Sequence, residues 1–148
     1  MNRKPVRFEY QELAEFRYRL RKFLRFSEQA AIEVGITPGQ HQLLLTIAGS
    51  PGRQWATPKE IAQRLMVRHH SALGLIQRCE KLGLVRRFDH PTDKRSVGIE
   101  LTDKGLEILD QLTMRHQAEL KRLGLSYTNF MEREIPTSVT NDLSHTKK

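Results

Sequence analysis

The groups best suited to chemistry in this chain lie between Arg68 and Arg78. Arg68, His69, His70, Ser71, Leu73, Gly74, Gln77 and Arg78 are spaced to share the outer side of one helix. Their types suit a nucleic-acid duplex: Arg for guanine edges or phosphate, Gln for adenine, Ser for either. A second polar group follows in the loop 89–96, where His-Pro-Thr-Asp-Lys-Arg is too polar to bury and rich in turn formers. Asp93, Lys94 and Arg95 form its tip. Gly74 is unexpected, since glycine inside a helix costs about 1 kcal/mol relative to alanine. Close approach of the helix backbone to DNA would explain it, and so would packing on a neighbouring protein element; the polar positions around it favour the first.

Other chemistries fit less well. The chain has six histidines, but His69 and His70 are adjacent and point about 100° apart on a helix, so they cannot chelate from one face. There is no H-x-x-x-H and no C-x-x-C, so no metal or other cofactor is expected, with a metal shared across a dimer as the remaining alternative. His69 and His70 read better as phosphate contacts at a helix N-terminus. The single cysteine, Cys79, falls on an apolar stripe, where a thiol is expected to be buried and inert. No phosphate-binding glycine loop, nucleophile elbow or paired carboxylate motif is present, and an enzyme is not expected.

These side chains need elements to hold them. Thr57-Pro58-Lys59-Glu60 is a capping box with proline at the first helical position, so a helix starts there, with Ile61, Ala62 and Leu65 as its apolar face. Thr57, at its start, joins the candidate DNA-contacting residues. Met66-Val67-Arg68 turns into a second helix over 69–82, with a buried stripe of Ala72, Leu75, Ile76, Cys79 and Leu82, and Gly83 stops it. Residues 84–88 and 97–101 then read as paired strands. Two helices joined by a tight turn and followed by a ribbon make a winged helix-turn-helix.

Over residues 65–105 the pattern L-x-V-x-x-x-S-A-x-G-L-I-x-R-x-E-K-L-G-L-V-R-R, then D-x-x-x-D-K-R-S-V-x-I-x-L-T-x-K-G, resembles the MarR family of bacterial winged-helix regulators. In element order the resemblance extends over residues 8–123. It implies a homodimer on palindromic double-stranded operator DNA, released in many members by a small-molecule effector or by cysteine oxidation. It also implies that Arg95 enters the minor groove while Asp93 holds it through a salt bridge. Peroxide-sensing members place a reactive cysteine near the start of the first helix, where this chain has none. The family often carries Thr and Arg where this chain has Leu73 and Gly74, a departure that bears on operator sequence and not on docking. Leu20, His41 and Leu44 are the candidates for an effector pocket, from their mixed polarity and the family's pocket location, with a packed His41 as the alternative.

The remainder supplies support. The 148 residues, 38% hydrophobic and 28% charged, suit one domain with a real core. A net charge of +8 favours polyanionic partners, nucleic acid ahead of anionic membrane. No apolar segment follows the basic start as in a signal peptide, no run reaches membrane-spanning length, and one cysteine fits a reducing compartment, so a cytoplasmic protein with no membrane partner is expected. A long amphipathic helix is predicted over 8–34, with Leu13, Phe16, Leu20, Phe23, Leu24, Ala31 and Val34 along one stripe that the winged core alone cannot cover. Its other face mixes Arg17, Arg21 and Arg25 with acids. Thr37-Pro38-Gly39-Gln40 opens a second helix to about 48, with Leu44, Leu45 and Ile47, and a loop at 49–54 leads to Trp55 on the domain edge. Thr102 caps a last long helix to at least 123, with Leu106, Leu109, Leu112, Met114 and Leu120 as buried candidates. A short helix over 126–134 and a disordered tail over 136–148 complete the expectation.

The expected fold is therefore mainly α (α+β): a winged helix-turn-helix core at 37–101 between dimerisation helices at 8–34 and 102–135. The expected function is a homodimeric, sequence-specific, DNA-binding transcription regulator, ligand-responsive and repressing. The alternative is a winged helix used only for protein–protein contact, against which Arg68, Arg78, Lys94 and Arg95 argue.

Overall fold

The computed structural model describes residues 2–126. In chain order they form α1 (Arg7–Glu33), α2 (Pro38–Ala48), β1 (Trp55–Ala56), α3 (Pro58–Leu65), α4 (His69–Lys81), β2 (Val85–Asp89), β3 (Val97–Leu101) and α5 (Asp103–Arg122). The expected short helix over 126–134 and the tail over 136–148 fall outside the described residues. Among the described residues no helix is long and apolar enough to cross a membrane.

Threonines start three of the helices. Thr37 Oγ1 accepts the Gln40 amide at 3.1 Å while Gln40 accepts the Thr37 amide at 2.9 Å. Thr57 and Glu60 repeat the exchange at 3.2 and 3.5 Å. Each pair satisfies two amides that a helix start would otherwise leave without partners. Thr102 does more: its oxygen accepts the Gly105 amide at 3.1 Å and its hydroxyl donates to the Gly83 carbonyl at 2.6 Å. The start of α5 is thereby bolted to the end of α4. Gly105 makes that approach possible, because a Cβ there would stand 2.1 Å from the Leu84 carbonyl oxygen.

The α3–α4 turn passes through Met66, which is left-handed at φ 56° and 91% exposed. That conformation is costly for a residue with a Cβ, and here it lets the Val67 amide close back on Ala62 O at 3.0 Å. β2 and β3 pair antiparallel from Val85↔Leu101 to Asp89↔Val97. β1, which follows the expected 49–54 loop and has no counterpart among the expected strands, adds a third strand beside β3 through Trp55↔Glu100 and Ala56↔Ile99. Two residues are too few to show an alternating pattern.

A single core joins the elements, from Ala31 on α1 and Leu43, Leu44 and Ile47 on α2 to Ile61, Ala72, Ile76, Cys79, Ile99 and Leu112, each fully buried. Several expected core positions lie outside it. Leu45 and Leu106 are exposed one step past the buried Leu44 and Gly105, Met114 is exposed about 200° round α5 from Leu112, and Leu82 is exposed where α4 ends. On α1 the inward face of the last two turns is buried at Ser27, Ala30 and Ala31, whereas Leu13, Phe16 and Leu24 are exposed. The first turns of α1 project past everything the described chain offers as cover.

Candidate nucleic-acid interface

Burial of Ala72, Ile76 and Cys79 fixes the rotation of α4 and turns its opposite side to solvent. Arg68, His69, His70, Ser71, Gln77 and Arg78 are exposed there, and Leu73 and Gly74 are half-exposed among them. Unlike α2, α3 and α5, helix α4 has no side chain capping its N-terminus, and its first turn carries no acidic residue. Its first amides and the positive end of its dipole are thus left for an outside anion. At Gly74 an added Cβ would meet only Arg78 Nη1, at 3.5 Å. No protein element of the described chain packs on it, so that explanation of the glycine fails. Thr57 belongs elsewhere: it is 8% exposed and its oxygen is occupied as the α3 cap, because a capping hydroxyl must turn back onto its own helix.

The turn between β2 and β3 carries Asp93, Lys94 and Arg95, all exposed. The expected salt bridge is absent. Asp93 Oδ1 accepts the main-chain amide of Arg95 at 2.9 Å, which leaves the guanidinium free of it. A carboxylate two residues ahead reaches the amide more easily than the end of a long side chain.

Cations divide into two groups across the winged part of the molecule. Arg86 pairs with Glu100 and Arg87 with Glu80, both at 2.7 Å, and Arg53 pairs with Glu60. Arg68, Arg78, Lys94 and Arg95 have no carboxylate partner among the described residues. Lys59 and Arg64 on α3 and Lys81 at the end of α4 are unpaired among them as well, so the unpaired charges include those of the α4 outer face and the wing tip without being confined to them. Cys79, by contrast, is fully buried, and desolvation pushes its thiol up to about 11, with Arg78 opposing weakly, so it is a poor nucleophile.

A cavity of about 490 Å³ opens between α1, α2 and α5, walled by Phe16, Leu20, Phe23, Leu45 and Leu120. Leu20 and His41 line it. Leu44 does not: it is buried in the core, and its neighbour Leu45, about 100° further round α2, faces the cavity instead. His116 is a pocket residue that the sequence reading misses, although its spacing from Leu109 and Leu112 places it on the inner side of α5. Its Nδ1 lies 2.5 Å from Leu112 O and its Nε2 2.8 Å from Ser27 Oγ. The carbonyl can only accept, so Nδ1 carries the proton and Nε2 accepts from the hydroxyl. The His41 ring stands 4.8 Å from that of His116, with its own Nδ1 buried and without a partner. Burial, aided by His116, holds the His41 pKa down to about 4. No cluster of three or more metal-ligating side chains occurs among the described residues.

Comparison with known proteins gives one consistent picture. A family model described as "MarR family" matches residues 34–96. The transcriptional repressor YetL of Bacillus subtilis is 27% identical over 109 residues, covering 74% of this chain and 64% of that protein. The chain thus spans less than two thirds of that relative. Two structures from Streptomyces coelicolor share the fold. AbsC, a MarR family transcriptional regulator, is 23% identical with a TM-score of 0.64 over 82% of each chain. Sco3205, from the same family and solved in complex with DNA, is 24% identical with a TM-score of 0.62 over 83% of this chain and 77% of its own.

Proposed function

As a member of the MarR family of winged-helix transcriptional regulators, this chain is one that we propose binds double-stranded operator DNA as a homodimer in the cytoplasm and represses transcription until a small molecule releases it. The observation that carries the reading is the division of cations: those of the sheet are paired, and those of the α4 face and wing tip are not. Unpaired cations at two sites one element apart suit a polyanion with two grooves better than a protein surface.

In this arrangement α4 enters the major groove, and the side chains from His70 to Gln77 meet base edges. The wing lies along the flanking minor groove, where Arg95 finds deep negative potential. Two copies place their recognition helices about 34–36 Å apart on one face of the duplex. The partner subunit covers the apolar first turns of α1, with α1 and α5 acting as dimerisation helices. An effector enters the cavity at Leu20, His41 and His116, between those helices and the winged part, and favours a spacing that fits DNA poorly.

Capture of genomic fragments followed by titration at several salt concentrations tests this. Wild-type protein should enrich discrete fragments. Arg95→Ala should weaken all of them and flatten the salt slope by about one unit for each phosphate that the wing no longer neutralises. Absence of any binding at low salt sinks the proposal, and an Arg95→Ala protein with an unchanged slope removes the wing from it.

A further inference from the structure

The wing tip is folded by a side chain outside the set that faces DNA. His90 is the last residue before the tip. Its Nδ1 accepts the Thr92 amide at 3.2 Å and the Asp93 amide at 2.9 Å. Pro91 between them has no N–H, so these are the first two amides available. With two donors pointing at Nδ1, the ring proton sits on Nε2. From there the tip closes on itself: Asp93 Oδ1 takes the Arg95 amide and Asp93 O takes the Ser96 amide at 3.2 Å.

The same ring ties the tip to the body of the domain. It packs edge-on against Trp55, with centroids 5.2 Å apart at 86°, while Phe88 holds the indole similarly at 5.3 Å and 80°. Gly98 leaves the room that Phe88 needs, since a Cβ there would stand 2.2 Å from its ring. Arg53 covers the Trp55 face at 3.8 Å, donates to Trp55 O at 3.1 Å, and pairs with Glu60 at the start of α3. The path from the first helix of the helix-turn-helix to the wing tip is therefore continuous: Glu60, Arg53, Trp55, His90, Asp93.

We propose that His90 is the positioning residue of the wing: its Nδ1 folds the tip, its ring latches the tip to Trp55, and together they set where Lys94 and Arg95 stand before DNA arrives. The consequence for DNA rests on the function proposed above, whereas the folding of the tip does not. A tip ordered in advance loses less freedom on binding, which raises affinity without adding a contact.

Three substitutions separate the two halves of the role. Asn carries its Oδ1 the same number of bonds from Cα as His carries Nδ1, so His90→Asn keeps the acceptor and drops the ring. His90→Phe keeps a ring and drops the acceptor, and His90→Ala drops both. Amide hydrogen exchange on the free protein should show Thr92 and Asp93 slowed in wild type and His90→Asn, and fast in the Phe and Ala variants. Emission from Trp55, the only tryptophan of the chain, should shift in the Ala and Asn variants and stay near wild type in the Phe variant. On captured DNA, His90→Ala should bind about tenfold more weakly, with His90→Asn recovering to within about threefold, the size expected when only a fraction of molecules holds a competent tip. Unchanged exchange in His90→Ala, or an Asn variant no better than Ala, overturns the proposal. If wild-type protein binds no DNA, the operator reading falls while the exchange data still decide the role of His90.

Discussion

The winged lobe and the helical seam beside it are built to different standards. In the lobe Ile61, Ala72, Ile76, Cys79 and Ile99 are fully buried, the helix starts of α3 and α5 are capped, and the sheet arginines are paired. In the seam of α1, α2 and α5, the helix α1 holds out Phe8, Tyr10, Leu13, Phe16 and Leu24 at 50–64% exposure. The seam also contains a cavity of about 490 Å³ and a buried histidine nitrogen without a partner. Apolar surface left in a contiguous row, and a buried polar atom left unsatisfied, are both rare unless something else completes them. The lobe is finished by its own chain. The seam is where a second molecule can still change the free energy, which is the property that the function proposed above requires.

The largest effect that could break this contrast is a matched pair of truncations. Ile61→Ala, in the lobe, should lower unfolding free energy by about 2–5 kcal/mol, because transfer and cavity costs add in a packed core. Leu13→Ala, 60% exposed on α1, should change the stability of dilute protein by no more than about 0.5 kcal/mol. Its effect should instead appear in self-association, measured by sedimentation across a concentration series. Equal costs at the two positions in dilute protein would mean that the seam is as finished as the lobe.

A change of pH sharpens the contrast further. His41 has a folded-state pKa of about 4 against an ordinary 6.5, chiefly from burial and secondarily from His116. Above the ordinary value both folded and unfolded forms are neutral, and nothing is gained or lost. Between it and the folded value the unfolded chain binds a proton that the native chain refuses, so stability falls as pH falls. The loss approaches something on the order of 3 kcal/mol near the lower end. Denaturant titrations between roughly pH 7.5 and 4.5 should show this slope in wild type and a shallower one in His41→Leu. Identical slopes would mean that His41 is solvated, and the seam more open than its geometry suggests.

The lobe is also the more legible region in the sequence. Thr57 and Thr102 announce the helix starts of the lobe, as Thr37 does for α2 in the seam, because capping is local chemistry within four residues, and the lobe's stripe of Ala72, Ile76 and Cys79 follows from helical spacing alone. Features that depend on distant backbone are not legible. β1 exists because β3 lies beside it, and Gly105 is required because Leu84, about twenty residues earlier, passes within contact of it. Periodicity shows that α1 has an apolar stripe but not what covers it. The family's pocket location points to a residue near position 44 but not to which of Leu44 and Leu45 faces in, a difference of one step on α2. At the wing, the resemblance implies that Asp93 holds the Arg95 guanidinium, whereas the carboxylate takes the Arg95 amide, a choice settled by local backbone geometry.

The smallest predicted effect tests the reading head itself, and it is informative because it has two signs. Gly74 and Gly105 both lie in helices, yet a methyl group at Gly105 would collide with Leu84 O, while one at Gly74 would meet only Arg78 Nη1 at 3.5 Å. The native fold therefore accepts Gly74→Ala, and the gain in helix propensity should stabilise the free protein by about 0.5–1 kcal/mol. If DNA approaches the α4 backbone as closely as a glycine permits, the same methyl occupies the gap that the duplex fills. The variant should then melt at higher temperature and bind its captured fragments more weakly. A protein improved in stability and unchanged in affinity would show that nothing comes close to α4 at this position. The unpaired cations around it would then have to engage DNA from a different angle, with the helix lifted out of the groove.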